Sequence, residues 1–120
     1  MRRQEVGKLG EESARKFLKK RDYRILETNF RCREGEIDII AQQGDYLVFI
    51  EVRTKSNLDF GTPEESVTSR KKQKLIASAL TYTSTHQNLP SSWRIDIVAI
   101  EVSDNGNIKR IEIIENAIEM

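Results

Sequence analysis

A single cysteine, Cys32, excludes an intramolecular disulfide and leaves at most one thiolate for a zinc site. The simplest compartment is a reducing one, the cytoplasm, with Cys32 a small, partly buried strand residue. The lone histidine, His86, stands in the polar stretch Thr83-Ser84-Thr85-His86-Gln87. That context predicts a surface position near a helix end rather than a catalytic role. No apolar run approaches the ~20 residues a membrane span needs. Met1-Arg2-Arg3-Gln4-Glu5 leads into a charged amphipathic stretch, with no apolar signal segment behind it. No membrane partner is therefore expected. A large excess of one charge is lacking too: the net charge is +1, which argues against a nonspecific DNA coat.

What remains is a 120-residue chain, 38% hydrophobic and 32% charged. That length fits one domain, 1–120, able to bury a core without staples under a heavily charged surface. The charges are unevenly spread. Residues 1–74 carry 17 Lys/Arg against 13 Asp/Glu, and residues 75–120 carry 3 against 6. The basic clusters are Lys19-Lys20-Arg21, Arg31 with Arg33, and Arg70-Lys71-Lys72 with Lys74. They are either phosphate contacts or solvated helix faces.

Val6, Leu9, Ala14, Phe17 and Leu18 recur at helical spacing and predict an amphipathic helix over about 5–21. Gly7 and Gly10 sit in its early turns, where glycine costs up to ~1 kcal/mol each against alanine. A packed strand or a ligand should therefore approach that backbone closely. Strands are predicted at 23–32, with Asn29 an irregularity, at 36–43 and at 46–54. Gly44-Asp45 forms a two-residue type II′ hairpin turn between the last two. Residues 56–63 read as a loop. A second helix over 69–85, with apolar stripe Leu75, Ile76, Ala79 and Leu80, is capped by Ser69 or Thr68. Strands at 93–102 and 109–114 flank the turn cluster Ser103-Asp104-Asn105-Gly106-Asn107. The class is α/β, order αβββαββ, with a mixed five-stranded sheet and flanking helices. The second helix is long enough to cross over between parallel strands, a connection expected to be right-handed.

With Gly44-Asp45 as the turn, Gln43 faces Tyr46, Asp38 faces Glu51 and Glu36 faces Arg53. Alternation then collects Glu36, Asp38, Glu51, Arg53 and Lys55 on one face, and Ile37, Ile39, Val48, Ile50 and Val52 on a core face. A slip of the turn to Gln43-Gly44 would set Glu51 against Glu36, and the acidic patch survives either register. Like charges facing each other destabilise a sheet, and Asp38 lies in an apolar strand where desolvation opposes ionisation. A divalent cation, Mg²⁺ or Mn²⁺, would relieve both costs. It could activate water and polarise a phosphodiester. Arg53 or Lys55 could neutralise charge developing at phosphorus. A lysine could also manage a proton, which an arginine with a pKa above ~12 cannot. The alternative is an ordinary surface ion-pair network, Arg53 with Glu36 and Lys55 with Glu51, of little energetic weight.

Several ordered motifs add a resemblance. They are Gly7-Lys8-Leu9-Gly10-Glu11 with Ala14, Asn29-Phe30-Arg31-Cys32-Arg33, Gly35-Glu36-Ile37-Asp38-Ile39-Ile40-Ala41 and Val48-Phe49-Ile50-Glu51-Val52-Arg53-Thr54. Phe60-Gly61 with Pro63, Lys72-Gln73-Lys74-Leu75 and Arg94-Ile95-Asp96 complete them. Together they resemble the YraN-like family of small bacterial proteins, which is similar to archaeal Holliday-junction resolvases and the restriction-endonuclease-like superfamily. The resemblance implies a restriction-endonuclease-like core and a metal-dependent nuclease-like site. Asp38 would be the metal-binding aspartate and Glu51 the acid of a Glu-x-Lys element. Glu11 would be an additional metal-site acid, Gln73 a supporting polar residue and Glu36 the neighbouring acid. Read from the residues alone, Glu11 is equally a helix N-terminal acid favoured by the dipole, and Gln73 an exposed helical residue. The lysine expected two residues after Glu51 is Arg53, which keeps the charge and loses the proton chemistry. Lys55, two residues further along the same face, would take that part if the strand reaches it.

The implied partner is DNA, in particular branched or recombination and repair intermediates. The alternative is a non-catalytic module that keeps the fold and binds nucleic acid or a partner through Arg31, Arg33, Arg70, Lys71, Lys72 and Lys74. Exposed strand edges also allow a homodimer.

Overall fold

Helical periodicity near the N-terminus closes into α1 (Arg3–Lys20), which buries Val6, Gly10, Ala14 and Leu18 along one stripe. The computed structural model describes residues 1–119. After α1 come β1 (Arg24–Cys32), β2 (Gly35–Gln43) and β3 (Tyr46–Lys55), then a 3₁₀ turn at Glu64–Ser66. α2 (Ser69–Thr85), β4 (Ser92–Val102) and β5 (Ile108–Ile114) complete the order. Thr68 caps α2, its hydroxyl accepting the Lys71 N–H at 3.1 Å. His86 is exposed at the end of α2, stacked on Tyr82 with ring centroids 3.8 Å apart.

The five strands form one sheet in the order β1-β2-β3-β4-β5. β3 and β4 are parallel and every other pair is antiparallel, so α2 is the crossover between them. The hairpin register is the expected one, from Gln43↔Tyr46 to Ile39↔Ile50. Gly44 takes φ +57° in the turn, a conformation that glycine adopts without a Cβ penalty.

The expectation of one core face and one polar face is corrected. Both faces are covered. On the α1 side Val6, Ala14 and Leu18 pack on Ile39, Val48, Ile50, Val98 and Ile100. On the α2 side Leu75, Ala79 and Tyr82 pack on Ile37, Ile40, Leu47, Phe49, Ile95 and Ile97. Ile37 was expected beside Ile39 and Ile50 and lies instead on the α2 side. The cause is a break in alternation at Asp38. Opposite it, in β1, Asn29 takes the left-handed conformation at φ +54°, which asparagine tolerates better than most residues. The β1–β2 pairing skips that position between Thr28↔Ile39 and Phe30↔Ile37.

Gly10 fits its setting closely: a Cβ there would fall on the Thr54 side chain, so α1 sits tight against β3. Gly7 does not share this role, since nothing lies within 4 Å of its Cβ position. Towards the hairpin end of the sheet, Asp96 is fully buried. It accepts from Arg94 Nε at 3.0 Å, Tyr23 Oη at 3.2 Å and the Asn116 N–H at 2.9 Å. This network pins the end of α1 and the C-terminal segment to β4.

Candidate active site

β2 and β3 zip together from the Gly44-Asp45 turn and part after Ile39↔Ile50. At the next position Asp38 leaves the ladder in side-chain form: its Oδ2 accepts the Val52 N–H at 2.8 Å. Glu51, 3% exposed, sits across from it. Its Oε2 takes Arg53 Nη2 at 2.8 Å and Nε at 2.9 Å, with Lys71 Nζ at 3.7 Å. All three contacts fall on that one oxygen.

Because β3 and β4 are parallel, α2 begins near the C-terminal end of β3, and this brings Lys71 to Glu51. α1 closes the other side with Glu11. The result is an open cleft of about 790 Å³ whose wall includes Glu11, Asp38, Glu51, Arg53, Lys55 and Lys71. Gly7 lies open on it.

Burial and then the Glu51 charge push the Asp38 carboxyl up to about 7, against the opposing Val52 hydrogen bond. Asp38 therefore keeps its proton at pH values where an ordinary carboxyl has lost it. Burial and then the Asp38 charge also raise the Glu11 carboxyl. The cleft is acidic enough that its own carboxyls resist ionising together, which is the condition a bound cation relieves.

Among the described residues, no three His, Cys, Asp or Glu side chains converge into a ready-made metal cage. Glu11 is thus on the cleft wall but does not complete a three-ligand cluster with Asp38 and Glu51. The donor set still suits Mg²⁺, which commonly takes one or two carboxylates and fills its shell with water and phosphate oxygens.

The surface ion-pair alternative has other partners than expected. Arg53 answers Glu51, not Glu36. Glu36 meets Arg31 at 3.5 Å, through an arginine side chain 78% exposed. β3 does reach Lys55, but its Nζ donates to the Gly61 carbonyl at 3.4 Å rather than to Glu51. Gln73 is exposed and is not part of the cleft wall. It lies about 200° around α2 from Lys71.

Of the six basic residues expected to contact nucleic acid, Lys71 alone lines the cleft; Arg31, Arg33, Arg70 and Lys74 are exposed and Lys72 is half-buried. The turn carrying Arg33 packs on α2, with Gly35 beside Lys74 and Ser78 and the Thr81 hydroxyl donating to Glu34 at 2.8 Å. Sequence reasoning missed three contributors: the Val52 N–H, Asn57 on the cleft wall and the proximity of Lys71 to Glu51. The parallel crossover was the signal for Lys71, since it carries the start of α2 to the end of β3.

No helix among the described residues is long and apolar enough to cross a membrane. The model of the uncharacterised protein family UPF0102 matches residues 10–100. A UPF0102 protein of Dehalococcoides mccartyi is 49% identical over 116 residues, covering 97% of this chain and 94% of its own. One from Dictyoglomus thermophilum is 45% identical over 117 residues, covering 98% and 99%. One from Moorella thermoacetica is 44% identical over 117 residues, covering 98% of each chain. The motifs from Gly10 to Asp96 lie inside the matched segment, and the YraN-like likeness they carry is to this same family. On the family match and the length of these alignments, the chain belongs to the UPF0102 family.

Proposed function

We propose that this protein is a Mg²⁺- or Mn²⁺-dependent nuclease of the cytoplasm, built on a restriction-endonuclease-like core and acting on DNA at branched or otherwise processed structures. The observation that carries the reading is the Asp38–Glu51 pair at the parting of β2 and β3, Glu51 buried and Asp38 half-buried, with Arg53 and Lys71 on the same cleft. A carboxyl pushed up to about 7 is an expensive feature for a fold to keep without use.

Asp38 and Glu51 would hold the cation, and Glu11 adds negative charge from the α1 side. A divalent cation bound there lowers the pKa of a coordinated water and neutralises phosphate oxygens. The Val52 N–H donates to Oδ2 and so fixes the orientation of the Asp38 carboxyl. Arg53 and Lys71 present fixed positive charge to a phosphate whose negative charge grows as water adds to phosphorus and the ester P–O bond breaks. Arg53 stabilises charge without handling a proton. Lys55, tied to Gly61, steadies the rim of the cleft.

A second reading has its own support. Glu51 is already partnered by Arg53 and Lys71, as in a site that has kept its ion pairs and lost its chemistry. The protein would then be a binding module using the surface of Arg31, Arg33, Arg70, Lys72 and Lys74. In either case the outer strands β1 and β5 leave edges through which a homodimer could form.

The test incubates wild type and Asp38→Asn with four-way-junction, flap, single-stranded and linear duplex DNA in Mg²⁺, Mn²⁺ or EDTA. The nuclease reading expects cleavage by wild type only, and only with metal. Binding without cleavage by both proteins would replace it with the binding-module reading.

A further inference from the structure

The loop from β3 to α2 exposes a side chain that the fold does not use. Phe60 is 92% exposed and Leu58 46%. The backbone beneath them is well tied. The Gly61 N–H donates to the Leu58 carbonyl at 3.1 Å, which makes Leu58–Gly61 a β-turn with Phe60 in its third position. Turn positions of this kind ordinarily hold small polar residues or glycine.

The Asp59 N–H donates to Asn57 Oδ1 at 3.3 Å, and Lys55 Nζ holds the Gly61 carbonyl. Thr62 and Glu65 hydrogen-bond reciprocally, and Arg110 anchors Glu64 at 2.6 Å. The ring therefore stands on a fixed mount, so a ligand that binds it orders little.

The surroundings select the occupant. Lys55, Ser56 and Asn57 form the stem of this loop and also line the cleft. The apolar feature is one ring and one leucine among polar neighbours, far short of the roughly 800 Å² per partner that a stable protein interface buries. It suits one flat apolar face. A nucleic-acid strand whose phosphates meet the cations of the cleft carries such faces beside them. They are accessible where the bases are unstacked and hidden inside a continuous duplex.

We propose that Phe60 is a stacking platform for an unpaired nucleobase, so that the cleft takes single-stranded or branch-point nucleic acid in preference to continuous duplex. The inference rests on the nucleic-acid reading of the cleft and deepens it to a substrate class.

The test uses full-length protein carrying Asp38→Asn, in EDTA, so that binding is read without cleavage. Anisotropy is measured with labelled single-stranded DNA, single-stranded RNA, duplex DNA and an oligomer of abasic spacers. Phe60→Leu should weaken single-strand binding by roughly 5- to 150-fold. Phe60→Tyr should retain it, and duplex and abasic binding should be unchanged. The strand, DNA or RNA, that loses more affinity on Phe60→Leu names the natural source of the base.

An equal loss on the abasic oligomer, an unchanged single-strand affinity, or no single-strand binding at all overturns the proposal. So does sedimentation in which Phe60→Leu dissolves a dimer and leaves the single-strand to duplex ratio alone; the ring would then belong to a second copy. Failure of wild type to cleave with any metal, with the Phe60 effect intact, would overturn the nuclease reading and leave this one standing.

Discussion

Asp38→Asn should make the protein more stable, and only where Asp38 would otherwise ionise. The folded state raises the Asp38 carboxyl from 3.8 to about 7. The folded protein therefore holds a proton that the unfolded chain has already released. Stability linked to that proton is fully present below about pH 4 and is lost as pH rises through about 7. The gap corresponds to roughly 4 kcal/mol at full ionisation, at 1.36 kcal/mol per unit. Asparagine keeps an oxygen for the Val52 N–H and removes the charge. Allowing for imperfect amide geometry, the gain at pH 8 should be about 2–4 kcal/mol. For a chain of this length that is about 8–16 °C in Tm. The assay is thermal unfolding by circular dichroism from pH 4 to 8 in EDTA, wild type against Asp38→Asn. The two curves should meet near pH 4 and separate progressively above it. A variant no more stable at pH 8, or more stable by the same amount at every pH, would refute the electrostatic account of the pair.

Mutations elsewhere should separate scaffold from site. Gly10→Ala should destabilise by about 1–3 kcal/mol in urea melts, because its methyl meets Thr54, and Thr54→Ala should restore much of the loss. Gly7→Ala meets nothing and should stabilise α1 by up to about 1 kcal/mol in the same assay. Asp96→Ala should cost about 3–5 kcal/mol, since it strands the Arg94 guanidinium, whose side chain is 11% exposed. Arg53→Ala should lower the rate of metal-dependent cleavage at least ~10-fold and also lower Tm, because it removes the nearer cationic partner of the buried Glu51 side chain, 4% exposed.

Most of the fold was legible because its signals are local. The Gly44-Asp45 turn and the alternating residues around it set the β2–β3 register as far as Ile39↔Ile50, which brings Asp38 and Glu51 to the end of the ladder, where the Val52 N–H holds Asp38. The helix bounds followed from apolar spacing and the Thr68 cap. What could not be read was set by distant residues. The alternation of β2 breaks at Asp38, across from the left-handed Asn29 of β1, and Ile37 lies on the α2 side. Lys71 read as one of four basic residues, and only the parallel crossover turns it alone toward Glu51. Lys55 lay at the right spacing to replace the missing lysine, but the loop that follows supplies the Gly61 carbonyl and captures it. Asp96 looked like one polar residue in a buried strand; its partners Tyr23, Arg94 and Asn116 come from three segments of the chain.

The measurement that tests the central claim most directly is calorimetric titration of Mn²⁺ into wild type, Asp38→Asn and Glu51→Gln at pH 7.5. Wild type should bind one site and release protons on binding, because the cation displaces the proton that Asp38 holds. Both variants should lose that site. Equal Mn²⁺ binding by all three proteins, or none by wild type, would contradict the account of the Asp38–Glu51 pair as a metal centre.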